Sequence, residues 1–515
     1  MISGIFEHPL YQSRSFRIVL LLALYCIVSF FFYWAVPANS IDDAWYADTA
    51  YSLAKDGIMK HPMFTGFASH DLISLDFPPL FILFEAGIIK LFGPGLASIR
   101  GGSILLGILI LVMSYRIARY FFNRDIAYIA LLLIIIHPSF IQASRIARPE
   151  ALQCLLGLIS VCFLISAGAK RTVYYFLAGF FSGLSFLSHF NSLTLIIAAP
   201  LFVLISKRTD TRVKAVLIFA LGVCIPLIPF ALRIAAHFEI FRAQFFLSFE
   251  NAPGLSAESH KTNISFFNSM TSLLNEQKRY LHSPVWIFPS LLWFSSLYVY
   301  FREGGEKRHP LTMILLLLAL LYGLFVYRKT SYYLVFMLPY WSATTAYVLV
   351  RLYNNSARIS RTIRYFTTAM LVLSVAASFT HTAQLYINSL KSDFDAVARE
   401  VQKYVPADTI AAGDFQLWFA AERKENFRAM YAVSFIYMSD HRSVGEIFES
   451  LNCRYIIGSE WFGIPGVSSG DPFAGELDDF LREHCTVVAE PEDRYFTYIM
   501  DRSGDTIPIY RIDDY

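Results

Sequence analysis

The sequence predicts a polytopic α-helical membrane protein, of about eleven transmembrane helices, that ends in a small soluble α/β domain. Three observations lead there. Hydrophobic residues make up 56% of the chain and charged residues 16%, against about 25% charged in a soluble globular protein. Apolar runs of roughly 20 residues recur up to residue 385, the length a helix needs to cross a bilayer. Past Lys391 the chain turns polar and its periodicity changes. The net charge of +3 and mean hydropathy of +0.47 point to no nucleic-acid partner, and no aromatic-plus-basic module for one is present.

The opening stretch, MISGIFEHPLYQSRSFR, is long and acidic for a secretory n-region, and no small-x-small cleavage site follows. The first apolar run, 16–37, is therefore expected to stay as a span. Arg14 and Arg17 precede it and place the N-terminus in the cytoplasm by the positive-inside rule. The loop 38–95 then lies outside. It opens with SIDDAWYADTAYSLAKDG (40–57), which sets Asp42, Asp43 and Asp48 just past a membrane exit.

The run 77–93, FPPLFILFEAGIIKLFG, is apolar but short and carries Glu85 and Lys90. If it spanned, Arg116, Arg119 and Arg124 would lie outside. If it lies in the interface or re-enters, they fall inside, and later loops obey the same rule. Further spans are expected at about 96–116, 126–145, 150–168, 174–189, 191–206, 215–234, 285–302, 311–327, 332–350 and 365–385. The 174–206 pair requires a very tight outer turn at His189, Asn191 and Ser192. On this topology four outer segments share one face: 38–95, 145–150, 235–284 and 328–331.

The membrane domain is thus 1–390, and 391–515 is an extracytoplasmic domain of about 125 residues, large enough for its own core. DFDAVAREVQKYVPADTIAAGD predicts an amphipathic helix, a turn and a short strand. EIFESLNCRYIIGSE predicts another helix and strand, and RYFTYIMDR alternates as a strand. Cys26, Cys154, Cys162 and Cys224 lie in apolar runs and suit packing. Cys453 and Cys485 lie in the polar domain, where a disulfide and two free thiols are both open. No Cys/His spacing suits zinc.

Four groups carry the chemistry. Asp42 and Asp43, held at a membrane surface, suit a general base toward a hydroxyl; the plainer role is a helix start, where Asp is common. Arg148-Pro149-Glu150, beside Arg145, offers a cation for a phosphate and a second acid, or an ordinary first turn. Arg328 and Lys329 sit at an outer span end against the positive-inside rule and suit a lipid phosphate, or anchor the span by snorkelling. Asp76, before Pro78 and Pro79, is either a site residue or a helix N-cap. His189 and Glu250 are weaker candidates of the same kind.

The order of these groups carries a resemblance. Asp-Asp-x-x-Tyr-Ala-Asp after the first span, Pro-Pro-Leu, then LFGPGLASIRGGS, the acid at Glu150 and Lys-Thr-Ser-Tyr-Tyr-Leu recur in that order. The chain resembles the GT-C glycosyltransferases, namely the protein O-mannosyltransferases and the bacterial aminoarabinose transferase of lipid A. The resemblance covers about 1–350 and the layout of the outer C-terminal domain. It implies that Asp42 is the acceptor-activating base, that Asp43 replaces a Glu, and that Tyr46 is the motif tyrosine. Glu150 stands for a second acid, and Lys329 and Tyr333 face a polyprenyl phosphate. The chain departs from the family at Asp76-Phe77, where the aminoarabinose transferase has Glu-Lys. It departs again near His189 and Asn191, where a Lys is common.

The function expected is inverting transfer of a monosaccharide from a polyprenyl-phosphate donor to an extracytoplasmic lipid, glycan or protein. The setting is a bacterial inner membrane, with membrane lipids around the protein. Lys329 and one of Arg145 or Arg148 neutralise the leaving phosphate. No cofactor is called for, although a divalent metal ion between Asp42 and Glu150 is compatible with the motifs. The rival expectations are a transporter or flippase of lipid-linked sugars, and a non-catalytic scaffold.

Overall fold

Helices dominate the fold, and their ends fall where the sequence supplies caps and breaks. The structure, a computed structural model, describes residues 14–31, 41–167, 172–205, 212–247, 266–281, 284–302, 310–326, 331–354, 360–390, 393–458, 472–492 and 506–515. The helices of the apolar region are α1 (Arg14–Phe31), α2 (Ile41–Asp56), α3 (Pro79–Phe92), α4 (Leu96–Phe121), α5 (Arg124–Ile135), α6 (Pro138–Ala143), α7 (Pro149–Ser166), α8 (Thr172–Ser188), α9 (Leu193–Ile205) and α10 (Arg212–Ala236). They continue as α11 (Phe238–Arg242), α12 (Phe266–Leu274), α13 (Gln277–Leu281), α14 (Pro284–Arg302), α15 (Pro310–Phe325), α16 (Leu338–Asn354) and α17 (Arg361–Ser389).

Every apolar segment expected to span carries a helix. Among the described residues, four helices are long and apolar enough to cross a membrane: Leu96–Phe121, Pro149–Ser166, Arg212–Ala236 and Arg361–Ile387. The segment 126–145, expected as one helix, is broken. Pro138 cannot continue the ladder and holds His137 extended; His137 then caps α6 by accepting from Ser139 N at 3.2 Å. The short run near 77–93 is α3, 14 residues long. At 1.5 Å per residue that is about 21 Å, short of a hydrocarbon core of roughly 30 Å. The turn at His189 is as tight as expected: His189 accepts from Asn191 N at 3.1 Å and caps the 3₁₀ turn Phe190–Ser192.

The chain packs as two compact units. One comprises Met1–Tyr33, Ser103–Pro229 and Ile264–Gln384; the other comprises Trp34–Gly102, Phe230–Asn263 and Leu385–Tyr515. In the first unit small residues let helices approach closely, as expected where lipid supplies no hydrophobic drive between them. A serine seam joins α7 to α8. Ser160 Oγ lies 2.8 Å from Ser182 Oγ and donates to Ala178 O, and Ser185 donates to Gln153 O at 2.9 Å. Glycines carry the crossing of α8 with α10. A Cβ at Gly179 would collide with the Phe219 carbonyl, and one at Gly222 with the Phe176 carbonyl. Gly222→Val is therefore expected to cost at least the ~1–3 kcal/mol of core overpacking. The check is the melting temperature in detergent, and an unchanged value would refute the close crossing.

In the second unit α2 is buried on nearly all sides. Ala44, Ala47 and Ala50 are fully buried. The loop before α3 is pinned by Gln244. Its side chain accepts from Leu75 N at 2.8 Å and donates to Ala68 O and Ile73 O, across a turn where Ala68 and Ser69 have positive φ of 46° and 57°.

The C-terminal residues form a five-stranded mixed sheet in the order β2-β1-β3-β5-β4. The strands are β1 (Ile410–Gly413), β2 (Phe427–Ala429), β3 (Cys453–Ile457), β4 (Cys485–Ala489) and β5 (Ile509–Ile512). β1 is parallel to β2 and β3; β5 is antiparallel to β3 and β4. The expected amphipathic helix is α18 (Phe394–Tyr404), started by Asp393, whose side chain accepts from Ala396 N. The second expected helix and strand are α20 (Val444–Ser450), opened by a Ser443/Glu446 capping box, and β3; α19 (Met430–Asp440) precedes them and α21 (Pro472–His484) follows. The strand expected over RYFTYIMDR lies outside the described residues. The disulfide alternative is ruled out by topology. β5 separates Cys453 from Cys485 by two strand spacings, roughly 9–10 Å, beyond the ~7 Å limit on Cα separation. Both are free thiols.

Candidate active site

The first turn of α2 places Asp42 and Asp43 at the positive end of the helix dipole. Their surroundings differ. Asp43 is fully buried and its Oδ2 accepts from Arg100 Nη2 at 2.6 Å and Nε at 3.3 Å; Arg100 is fully buried too. Asp42 is partly exposed. Tyr46, one turn on, packs its ring edge-on against Phe77 and Phe81 at 5.1 and 5.4 Å.

Glu85 of α3 belongs to the same cluster. Its run was noted in the sequence, but not its role. Glu85 is fully buried, and among the described residues neither of its carboxyl oxygens has a hydrogen-bond partner. Burial, and then the charge of Asp43, push it well above the usual carboxylate range. A second negative charge beside Asp43 would have no hydrogen bond to stabilise it.

Asp76 does not cap α3. The N-cap of α3 is Pro78, with no side-chain capping bond. Asp76 instead accepts from Ser74 Oγ at 2.7 Å and lies 3.6 Å from His70 Nε2. Burial works to raise this carboxyl, but the hydrogen bond and charge of His70, with Ser74, bring it below its ordinary value.

The remaining candidates lie in the other unit. Arg148 is the N-cap residue of α7, Pro149 its first residue, and Glu150 is in the first turn. Arg148 Nη2 and Nε donate to Glu150 at 2.5 and 3.1 Å. Arg145 is buried, with Nε donating to Ser29 Oγ at 3.3 Å. His189 lies close enough to Glu150 for their charges to interact, and its ring meets Tyr333 edge-on at 5.5 Å. Lys329, Arg328 and Glu250 lie outside the described residues.

One cation of this cluster escaped the sequence reading. Arg279 of α13 is fully buried, 2.7 Å from Glu276, with its guanidinium 5.7 Å from the Tyr333 ring and 5.8 Å from the Tyr322 ring. Gln153 Nε2 in turn donates to the Tyr322 hydroxyl at 3.3 Å. The available signal was Gln-Lys-Arg-Tyr, two more cations in the segment 235–284 that the sequence reading expects outside. Such a guanidinium between aromatic faces is suited to a phosphate or carboxylate. Among the described residues no group of three or more His, Cys, Asp or Glu is placed to hold a metal ion.

The comparisons with known proteins fit this layout. The family described as dolichyl-phosphate-mannose-protein mannosyltransferase matches residues 76–234. The fold is similar to that of ArnT from Cupriavidus metallidurans bound to undecaprenyl phosphate. The TM-score is 0.59 at 13% identity, over 96% of this chain and 97% of that one. It is also similar to the Archaeoglobus fulgidus oligosaccharyltransferase in a complex with zinc and sulfate, with a TM-score of 0.53 at 15% identity over 89% and 70% of the two chains. The same oligosaccharyltransferase tethered to an acceptor peptide containing the NVT sequon gives 0.52 at 14% identity, again over 89% and 70%. No curated protein matches the chain in sequence. The chain is therefore a multi-pass membrane protein that is similar over residues 76–234 to the dolichyl-phosphate-mannose-protein mannosyltransferases and in fold to ArnT and the oligosaccharyltransferase.

Proposed function

We propose that the protein transfers a monosaccharide from a polyprenyl-phosphate donor to a hydroxyl on an extracytoplasmic lipid, glycan or protein, with inversion. The observation that carries the assignment of the base is the split between the paired acids. Asp43 is committed to Arg100 in a fully buried pair, whereas Asp42, in the same turn, is partly exposed. Asp42 takes the proton of the acceptor hydroxyl; the oxygen attacks the anomeric carbon; the bond from that carbon to the phosphate oxygen breaks, and polyprenyl phosphate leaves with the electron pair. Arg148, Arg279 and Lys329 are the cations assigned to the phosphate, and the Tyr333 ring lies 5.7 Å from the Arg279 guanidinium. Undecaprenyl phosphate in the ArnT structure and an acceptor peptide on the oligosaccharyltransferase support these substrate classes. The test is a cell-free assay with a labelled polyprenyl-phosphate sugar. Transfer releases polyprenyl phosphate, whereas a flippase or a scaffold leaves the donor intact.

The same reading sets the protein in a bacterial inner membrane with the N-terminus in the cytoplasm and residues 38–95 and 391–515 outside. The shortness of α3 supports it, because an interfacial α3 keeps Arg116, Arg119 and Arg124 inside. Single cysteines at Ser98 and Asn123 are expected to label from opposite sides of the membrane. If Asn123 is reached from outside, this topology is wrong.

A further inference from the structure

One carboxylate of the acidic motif has a structure of its own. Asp48 is fully buried on α2, one and a half turns beyond Asp43. Its Oδ2 accepts from His61 Nδ1 at 2.6 Å and from Met63 N at 3.0 Å, and its Oδ1 accepts from Trp418 Nε1 at 3.0 Å. Trp418 is fully buried and lies in the 3₁₀ turn Phe415–Phe419 that follows β1, 370 residues away in sequence.

Contacts on either side of Asp48 repeat the tie. Trp45, one turn earlier, stacks on Phe415 with centroids 5.1 Å apart and planes at 18°. Lys55, two turns later, pairs with Glu425 at 2.7 Å, and the Tyr51 hydroxyl donates to the same carboxylate at 3.2 Å. At 100° per residue, positions 45, 48, 51 and 55 fall within one arc of roughly 120°. One side of α2 is therefore given over, along its length, to the C-terminal sheet domain. Asp42 is three residues before Trp45, its neighbour on the helix surface.

We propose that Asp48 is a positioning residue: through its bond to Trp418 the C-terminal domain fixes the rotation and height of α2 and so places Asp42 for the transfer reaction. The proposal rests on the transferase reading of Asp42. A buried carboxylate with three donors in fixed directions is a specific anchor, since any rotation of α2 strips it of a partner in a buried site. The placement matters because displacing a reacting group by about 1 Å can cost on the order of 10²-fold in rate. The C-terminal domain then acts as a clamp on the catalytic helix rather than as a separate module.

The test pairs Trp418→Phe, which removes the N–H and keeps a ring, with Glu425→Gln, which loosens the solvent-side tie without touching the core. Two quantities are read on purified full-length protein: steady-state transfer per folded molecule, and hydrogen exchange of the amides 46–52 inside α2. Trp418→Phe is expected to lower kcat about tenfold or more, leave the donor KM within about twofold, and speed exchange in α2. Glu425→Gln is expected to change both in the same direction by less. Unchanged exchange in both variants overturns the clamp. Faster exchange with unchanged kcat overturns the positioning role, leaving Asp48 as packing. If the wild-type protein releases no polyprenyl phosphate, the transferase reading fails by itself, and exchange alone decides whether the sheet domain holds α2.

Discussion

Asp42→Asn is expected to stop sugar transfer while the protein still inserts and still binds donor. The amide is nearly isosteric, so whatever the side chain does for the start of α2 largely survives. What it loses is the capacity to take a proton at neutral pH, and removing a general base typically lowers rate by about 10²–10⁴. The measurement is turnover of labelled polyprenyl-phosphate sugar at matched folded yield. Near-wild-type turnover would reduce Asp42 to a first-turn acid favoured by the helix dipole. Loss in Asp43→Asn with activity kept in Asp42→Asn would move the base by one residue. Full activity in both would remove this helix start from the mechanism.

Asp43→Asn is expected to act on stability first. Arg100 and Asp43 are both fully buried and 2.6 Å apart, so the amide leaves a buried guanidinium without its counter-charge. Breaking a buried pair in this way typically costs about 3–5 kcal/mol, whereas replacing both partners by apolar groups of similar volume is often neutral. The single variant should therefore melt well below the wild type in detergent, and Asp43→Leu/Arg100→Leu should recover most of the loss. Neither double nor single variant differing from wild type would mean that the pair is solvated. Molecules of Asp43→Asn that do fold should turn over faster than Asp42→Asn, since they retain the base.

The positions of the helices were legible because burial in lipid writes itself locally, as runs of apolar residues of the right length. Breaks and caps were legible where a single residue forces them. Pro138 shows the limit: the run 126–145 is expected as one span, yet the proline divides it into α5 and α6. The α/β character of the C-terminal region followed from helical and alternating periodicities. The strand order did not, because a strand records which of its faces is buried but not which neighbours it has. Only that order, with β5 between β3 and β4, decides that Cys453 and Cys485 cannot bond.

What the sequence by itself determined is a helical membrane protein with an acidic pair just past its first apolar run and a small mixed domain at its C-terminal end. All of these are signals carried within a few turns of chain. What only the tertiary structure decided is the state of each charge. Asp43 meets Arg100 57 residues on, Asp48 meets Trp418 370 residues on, and Glu85 meets no donor among the described residues. The free energy of a carboxylate is set by desolvation and by the groups within a few ångströms of it. Those groups arrive from distant chain segments, so neighbouring acids of identical composition acquire different roles that no local pattern records.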